Sequence, residues 1–377
     1  MFDYLLLVGI FISLLSGQFA RIELINALAN VYIHEFLLLI FVVHAFIQFG
    51  VTPLRKALRS KAVLLFFFLI IVSFLISMGE FTFLQNSIAL LYLIRMVLYT
   101  LFGIYLFTLV KSKKNGEVFL YKLIYTFSIL LLIITAIQYV FFPNFWGLYT
   151  FGWDPHLYRA SAIYLDIFIA VAIYGLLALF WFIKKQSILT FLFIVALVLS
   201  FSRSAYIAFV LSLLYFFVVQ KKWKELLISV SLFALFVVVV PKPFGEGGNL
   251  LRTSSINSRI LDYKLGLTLW QKKPLLGFGY NRIRFAKEQL HLISMDDRSH
   301  SLSSFHSSFL VILVTTGVMG FLASMSLIWL LFWKNPNLRV YFVYILTMSL
   351  FDNVLLHMLV ILPFIFLAAY STQSSLE

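Results

Sequence analysis

The chain has 377 residues, a net charge of +14 and no cysteine, with 62% hydrophobic and 12% charged residues. Soluble domains carry roughly 25% charged residues, so the composition excludes a soluble globular protein. The missing thiols exclude disulfides and thiolate chemistry. Long apolar runs exclude an outer-membrane barrel, whose strands alternate in segments of about 10 residues.

A helix needs roughly 20 apolar residues to cross a bilayer. Read in that light, the chain is expected to be one all-α, polytopic membrane domain over 1–377 with about twelve transmembrane helices. The predicted spans are 2–20, 31–50, 62–78, 88–110, 118–141, 161–183, 187–202, 204–220, 225–241, 305–333, 338–351 and 354–370. The N-terminus, MFDYLLLVGIFISLLSG, lacks a basic region and carries Asp3. It reads as a retained first span and not as a cleaved signal. The run 186–219 is too long for one span and slightly short for two. A tight hairpin with Ser202, Arg203 and Ser204 at its tip is expected there.

Alternate short loops carry Arg55, Lys56, Arg59 and Lys61; Lys111, Lys113 and Lys114; Lys184 and Lys185; Lys221, Lys222 and Lys224; and Lys334 and Arg339. The bias of short loops toward Lys and Arg on the cytoplasmic side predicts that both termini lie inside. The loops 142–160, 202–204 and 242–304 are then external. No internal repeat is evident.

The segment 242–304 is the exception to that charge rule. With Pro241 it holds ten of the 29 Lys and Arg residues against Glu246, Asp262, Glu288, Asp296 and Asp297. One reading is a solvated basic loop, since long loops translocate whatever their charge. The other is a site for an anionic substrate on the external face. No nucleic acid is expected, because membrane orientation accounts for most of the remaining positive charge.

Several residues in and around this segment are candidates for chemistry. Arg203, in SFSRSAYIAF, stands between two short apolar helices, where a guanidinium is costly unless it pairs or faces water. Its planar fork suits phosphate, and a snorkelling interfacial Arg is the plainer reading. Arg259 is expected in the first turn of a helix capped by Asn257 or Ser258, running to about Gln271 and ended by Pro274. Arg259, Tyr263, Gly266 and Trp270 then share a stripe, and the first-turn N–H groups attract anions. The same helix also reads as an amphipathic element on the membrane surface, with Lys272, Lys273 and the Gly277–Gly279 turn at the interface.

His306 stands where the tenth span begins and suits a general base near neutral pH. His300 is its rival. Six Ser residues between 299 and 308 suggest a hydrated entrance. Arg159 is a second external Arg at a span start, with Asp166 on the same face if the helix is regular. Gly317 and Gly320 read as close helix packing. Arg95, Asp352 and His357 lie near or within spans without a sharper role. Motifs for a metalloprotease, a nucleotide phosphate loop or a nucleophile elbow are absent from the sequence.

The S-R-S hairpin, the S-R-x-x-x-Y…P-L-L-G-F-G loop and the H-S-S…G-V-M-G entry to a span, with R-x-S-x-I-Y from Arg159, form a recognisable series. Their order and spacing resemble the bacterial O-antigen ligase and O-antigen polymerase (Wzy-type) superfamily of membrane glycosyltransferases. The motifs cover about 155–325, and the twelve-span layout extends the likeness over the chain. This chain departs from the family where Ser307 replaces a frequent Asn and where 311–316 lacks a frequent acidic residue.

The resemblance implies metal-independent glycosyl transfer, without a cofactor, from a glycan on undecaprenyl diphosphate at the external face of the bacterial inner membrane. It implies His306, Arg203 and Arg259 as catalytic residues, with Arg159, Tyr263 and His300 joining the two arginines around the substrate. The partners it implies are the lipid-linked glycan, the lipid bilayer, and a chain-length regulator or flippase of the same pathway. A polymerase of O-antigen or capsule repeat units is the first reading, since the missing acidic residue removes a partner for His306. A ligase acting on lipid A–core is the second. An exporter of an anionic solute and an assembly factor without chemistry are the alternatives of another class.

Overall fold

The computed structural model describes residues 2–24, 28–151, 153, 156–242, 246–293 and 300–372. The described residues are overwhelmingly helical. In chain order come α1 (Phe2–Ser16), a two-stranded antiparallel hairpin of β1 (Arg21–Leu24) and β2 (Ala29–Tyr32), and α2 (Ile33–Phe49). Next are α3 (Thr52–Leu58), α4 (Lys61–Ile76), α5 (Phe83–Ser112), α6 (Gly116–Phe141), α7 (Ile167–Ile183), α8 (Ser187–Val198), α9 (Arg203–Val219) and α10 (Trp223–Val239). The series closes with α11 (Ser254–Lys272), α12 (Ile283–Gln289), α13 (Ser308–Lys334), α14 (Arg339–Phe351) and α15 (Met358–Ser371).

Each of the predicted apolar segments coincides with a helix. By length and composition, five stretches among the described residues are long and apolar enough to cross a membrane: Phe2–Ala20, Lys61–Glu80, Phe83–Ser112, Gly116–Phe141 and Ser308–Lys334. The pair α2–α3, bent by 100°, makes a sixth if it is taken as one span. Helices α7, α8, α9 and α15 are apolar but shorter. The β1–β2 hairpin was not expected from the sequence, which read residues 21–30 as a connecting loop.

Helix α7 is the centre of the bundle. It is apolar on every face, which marks a helix enclosed by others, and nearly all of its side chains are buried. The Tyr344 hydroxyl of α14 donates to Val171 O at 2.7 Å, and the Tyr344 ring lies against Gly175. Trp181 donates to Ser128 Oγ of α6 at 3.0 Å, which satisfies an indole that would otherwise be buried without a partner. The predicted regular helix from Arg159 to Asp166 does not form. Residues 159–166 are irregular, with left-handed backbone at Ala162 and Leu165, and α7 starts only at Ile167.

One loop expectation is corrected near the 242–304 segment. The hairpin between α8 and α9 turns through 199–202, so Arg203 is the first residue of α9 and not the middle of the tip. The turn after α11 docks into α13. Gly317 has φ +64° and breaks the α13 ladder. The backbone beyond it pairs with the 274–279 segment: Val318 N donates to Pro274 O at 2.9 Å, and Met319 N to Leu275 O at 3.2 Å. In return, Phe278 N donates to Val314 O at 3.1 Å and Gly279 N to Thr315 O at 2.8 Å. Ser73 of α4 completes the knot with a hydrogen bond to Thr315 O at 2.9 Å. A Cβ at Gly317 would collide with the Leu275 carbonyl, so the glycine serves both its left-handed φ and the close approach.

Arg282 pins the same region from below the turn. It is fully buried and donates to Phe74 O at 2.9 Å and to Asn86 Oδ1 at 2.5 Å, with its guanidinium 4.2 Å from the Phe74 ring centre. The segment around 274–282 is therefore anchored to α4, α5 and α13.

Candidate functional site

Helix α11 is the plank on which the site is built. It starts at Ser254, several residues earlier than predicted, because Thr253 and not Asn257 or Ser258 is the flanking residue. Arg259 consequently lies beyond the first turn, and the expected help from first-turn N–H groups does not apply to it. The stripe itself is present. Arg259 and Tyr263 line one cavity, and Gly266 meets Leu310 of α13 so closely that a Cβ there would clash.

That cavity has a volume of ≈ 600 Å³ and lies between α9, α11 and the end of α14. Its walls are mainly apolar, from Ile207, Ile256, Ile260, Leu267, Leu350 and Phe351, and its charges come from Arg203, Arg259 and Lys264. Such a groove matches a ligand with a hydrocarbon body and an anionic head.

The two arginines are held differently. Arg203 donates through Nη1 to Leu250 O at 3.2 Å and to Arg252 O at 2.9 Å, and through Nη2 to Ser255 Oγ at 2.6 Å. It thus ties residues 250–255 to the start of α9. Arg259 Nη2 reaches Asp352 Oδ1 at 3.2 Å and Oδ2 at 3.3 Å. Its Nε is buried without a hydrogen-bond partner among the described residues, which leaves a donor unused. Ser204 donates to Asp352 Oδ2 at 3.1 Å. Burial raises the Asp352 carboxyl above its ordinary range, against the opposing pull of Arg259 and His306.

His306 stands next to this pair and takes its partner from α11. Its backbone N–H donates to Asp262 Oδ2 at 2.6 Å, and its ring Nδ1 is 3.0 Å from the same oxygen. The hydrogen bond to Asp262 raises the His306 pKa, more than burial lowers it, and the charges of Asp262 and Asp352 add to the rise. With Nδ1 turned to Asp262, Nε2 is the ring nitrogen left for a substrate. The side chain is 41% exposed, so a ligand can reach it.

The loop before His306 is clamped on two sides. Lys287 of α12 donates to Ser304 O at 3.0 Å and lies 4.3 Å from the Phe305 ring centre. Asn353 donates to Ser304 Oγ at 2.8 Å. Lys287 is almost fully buried, and burial brings its pKa down to about 8, with Asp262 opposing.

Of the residues expected from sequence, Arg203, Arg259 and Tyr263 line the cavity; His306 is not among its lining residues and is tied to α11 through Asp262. Arg159 does not line it either. It is buried behind the α8–α9 turn, where its Nε donates to Ser200 O at 2.7 Å and its stem packs on Gly247. His300 opens a short 3-10 turn, and its side chain lies outside the described residues. Tyr263 donates to Leu350 O, which couples α11 to α14.

Asp262, Ser204 and Lys287 were given no role in the site from sequence, and Asp352 was noted only as lying near a span. A signal did exist for two of them. Asp262 stands three residues after Arg259, and hence on its face of the helix. Asp352 is a lone acid at the end of an apolar run, where ionisable residues are functional candidates by default.

A family model described as O-antigen ligase matches residues 188–325. The match takes in α8 to α12 and most of α13, and with them Arg203, Arg259, Asp262 and His306. No curated protein matches the chain. The described residues include helices long and apolar enough to cross a membrane, and residues 188–325 are similar to the O-antigen ligase family.

Proposed function

We propose that the protein transfers a glycan from undecaprenyl diphosphate to a hydroxyl acceptor at the external face of the inner membrane. The observation that carries this reading is the apolar cavity with Arg203 and Arg259 in its wall, beside the Asp262–His306 pair. The prenyl chain lies along Ile207, Ile260 and Leu267, and the diphosphate meets the guanidinium groups. In the reaction the acceptor oxygen attacks the anomeric carbon and the bond from that carbon to the phosphate oxygen breaks. Undecaprenyl diphosphate leaves with the electron pair, and Arg259, with its unused Nε, stabilises the growing charge. The acceptor proton passes to His306 Nε2, and Asp262 steadies the resulting imidazolium. Attack from the face opposite the leaving group inverts the anomeric centre.

The reading places both termini in the cytoplasm and the 242–304 segment outside, as the short-loop charges favour. The sequence ground for preferring a polymerase to a ligase was the lack of an acidic partner for His306 after α13 begins. Asp262 fills that role from another helix, so that ground is gone, and the chemistry proposed is common to both.

The acceptor separates them in the native host. His306→Ala in a polymerase leaves single repeat units on the lipid A–core, and in a ligase it leaves the core bare. Glycans of normal length and amount, with the variant protein present at wild-type level, would contradict the proposal.

A further inference from the structure

A second cleft, of ≈ 150 Å³, lies between α5 and α15. The turn 352–357 borders both spaces: Leu350 and Phe351 at its start line the first cavity, while Leu356 and Met358 at its end line the second. Phe305, the neighbour of His306, packs in one apolar cluster with Tyr92 and Leu356 of this cleft. The loop that carries the proposed base is thus linked to this cleft through apolar packing.

Part of the cleft lining is polar. Arg95 is buried and paired with Glu35, Nε to Oε1 at 2.6 Å and Nη2 to Oε2 at 3.1 Å, and it also donates to Asn30 O. Its Nη1 is buried with no hydrogen-bond partner among the described residues. Unmet donors of this kind on a buried charge call for an account. Glu35 already neutralises the guanidinium, so a phosphate brought here would face the carboxylate as well. The groups that suit the spare N–H bonds are uncharged oxygens. Tyr92 and Tyr280 also line the cleft, and tyrosine is a side chain of the kind that a sugar ring packs on and hydrogen-bonds to. A volume of this size holds a six-membered ring. Met96, Ile361 and Ile365 are the apolar part of its lining.

We infer that this cleft seats the acceptor, a lipid-borne saccharide. One of its sugar rings lies against Arg95, Tyr92 and Tyr280, and its lipid lies along Met96, Ile361 and Ile365. The inference rests on the glycosyl-transfer reading and adds to it a separate entrance for the second substrate.

Two variants leave the Arg95–Glu35 pair intact: Met96→Trp fills the cleft, and Tyr280→Phe removes one hydroxyl. Each is measured in nanodiscs with undecaprenyl-diphosphate-linked repeat unit as donor and, as acceptor, a second lipid-linked repeat unit or lipid A–core. Met96→Trp is expected to raise the acceptor KM about tenfold or more, and Tyr280→Phe several-fold, with the donor KM unchanged in both. A rise in both KM values together, or in neither, overturns the inference.

An occupancy test does not depend on turnover. A benzophenone side chain at the Met358 position is expected to crosslink the glycolipid, and excess phosphatidylglycerol is expected not to compete. Crosslinking to phosphatidylglycerol alone overturns the inference. If wild-type protein joins no sugars with either acceptor, the transfer reading fails, while the crosslink still reports what the cleft holds.

Discussion

One oxygen of Asp262 holds His306 twice, accepting from its backbone N–H at 2.6 Å and lying 3.0 Å from its ring Nδ1. The double contact fixes the loop and the ring together and raises the His306 pKa. The neutral ring that accepts a proton is lost as pH falls through this raised value. Activity is therefore expected to decline on the acid side with an inflection above the ordinary histidine range. In Asp262→Asn the inflection should move to lower pH while the plateau falls about 10²-fold or more. A pH–rate profile of both proteins checks this. An unmoved inflection would remove His306 from the role of base.

Lys287 supplies the opposite limb. It is buried against Phe305 and bonded to Ser304 O, and it titrates at about 8. Loss of its proton with rising pH weakens its attraction to Asp262 and its contact with the Phe305 ring. Activity is expected to fall above about pH 8. Lys287→Met should lower kcat throughout and abolish that alkaline inflection, with the donor KM unchanged. Lys287→Arg, which stays charged, should carry activity to higher pH. A profile for Lys287→Met that keeps the wild-type alkaline limb would assign the limb to another group.

Arg259 and Asp352 are coupled, so removing either should be worse than losing one contact. Arg259→Met strips the diphosphate of a donor and leaves Asp352 buried without its charge partner. Donor turnover is expected to fall about 10²–10³-fold. In Asp352→Asn the arginine keeps its place but loses its counter-charge, and a smaller loss is expected. Double-mutant kinetics should be strongly non-additive, since both changes act on one pair. Simple additivity would mean that the pair does not act as a unit.

Gly317 gives a prediction about stability. Gly317→Ala introduces a Cβ at positive φ and against the Leu275 carbonyl. The backbone term alone is worth about 1–3 kcal/mol. Detergent-solubilised variant is expected to unfold at a lower temperature than wild type and to lose the 274–279 docking first. Limited proteolysis near Lys272 and Lys273 would show that loss.

The sequence made the helices legible because apolar runs near bilayer length admit little else, and every predicted segment holds a helix. The stripe of Arg259 and Tyr263 was legible because helical spacing alone sets it. The start of α11 was misplaced because Thr253, Ser254, Ser255, Asn257 and Ser258 are all plausible caps, and local preference does not choose among them. The partners of His306 were illegible for a different reason. Asp262 comes from 44 residues earlier, and Asp352, partner to Arg259, from 93 residues later. Only the packing of α11 against α13 and α14 brings these acids to the site. The docking of the Gly277–Gly279 turn into α13 was likewise hidden, since Gly317 within an apolar run reads as helix packing and not as a break.

The central claim is that one cavity holds the lipid diphosphate next to His306. It is tested most directly by single-turnover reaction of the purified protein with a labelled undecaprenyl-diphosphate-linked repeat unit and an acceptor. The account predicts stoichiometric release of undecaprenyl diphosphate by wild type, with an inverted new linkage. His306→Asn should still bind the donor but release almost none, and Arg259→Met should be defective in the release step. Wild-type rates in His306→Asn, or donor movement across the membrane with no bond formed, would contradict it.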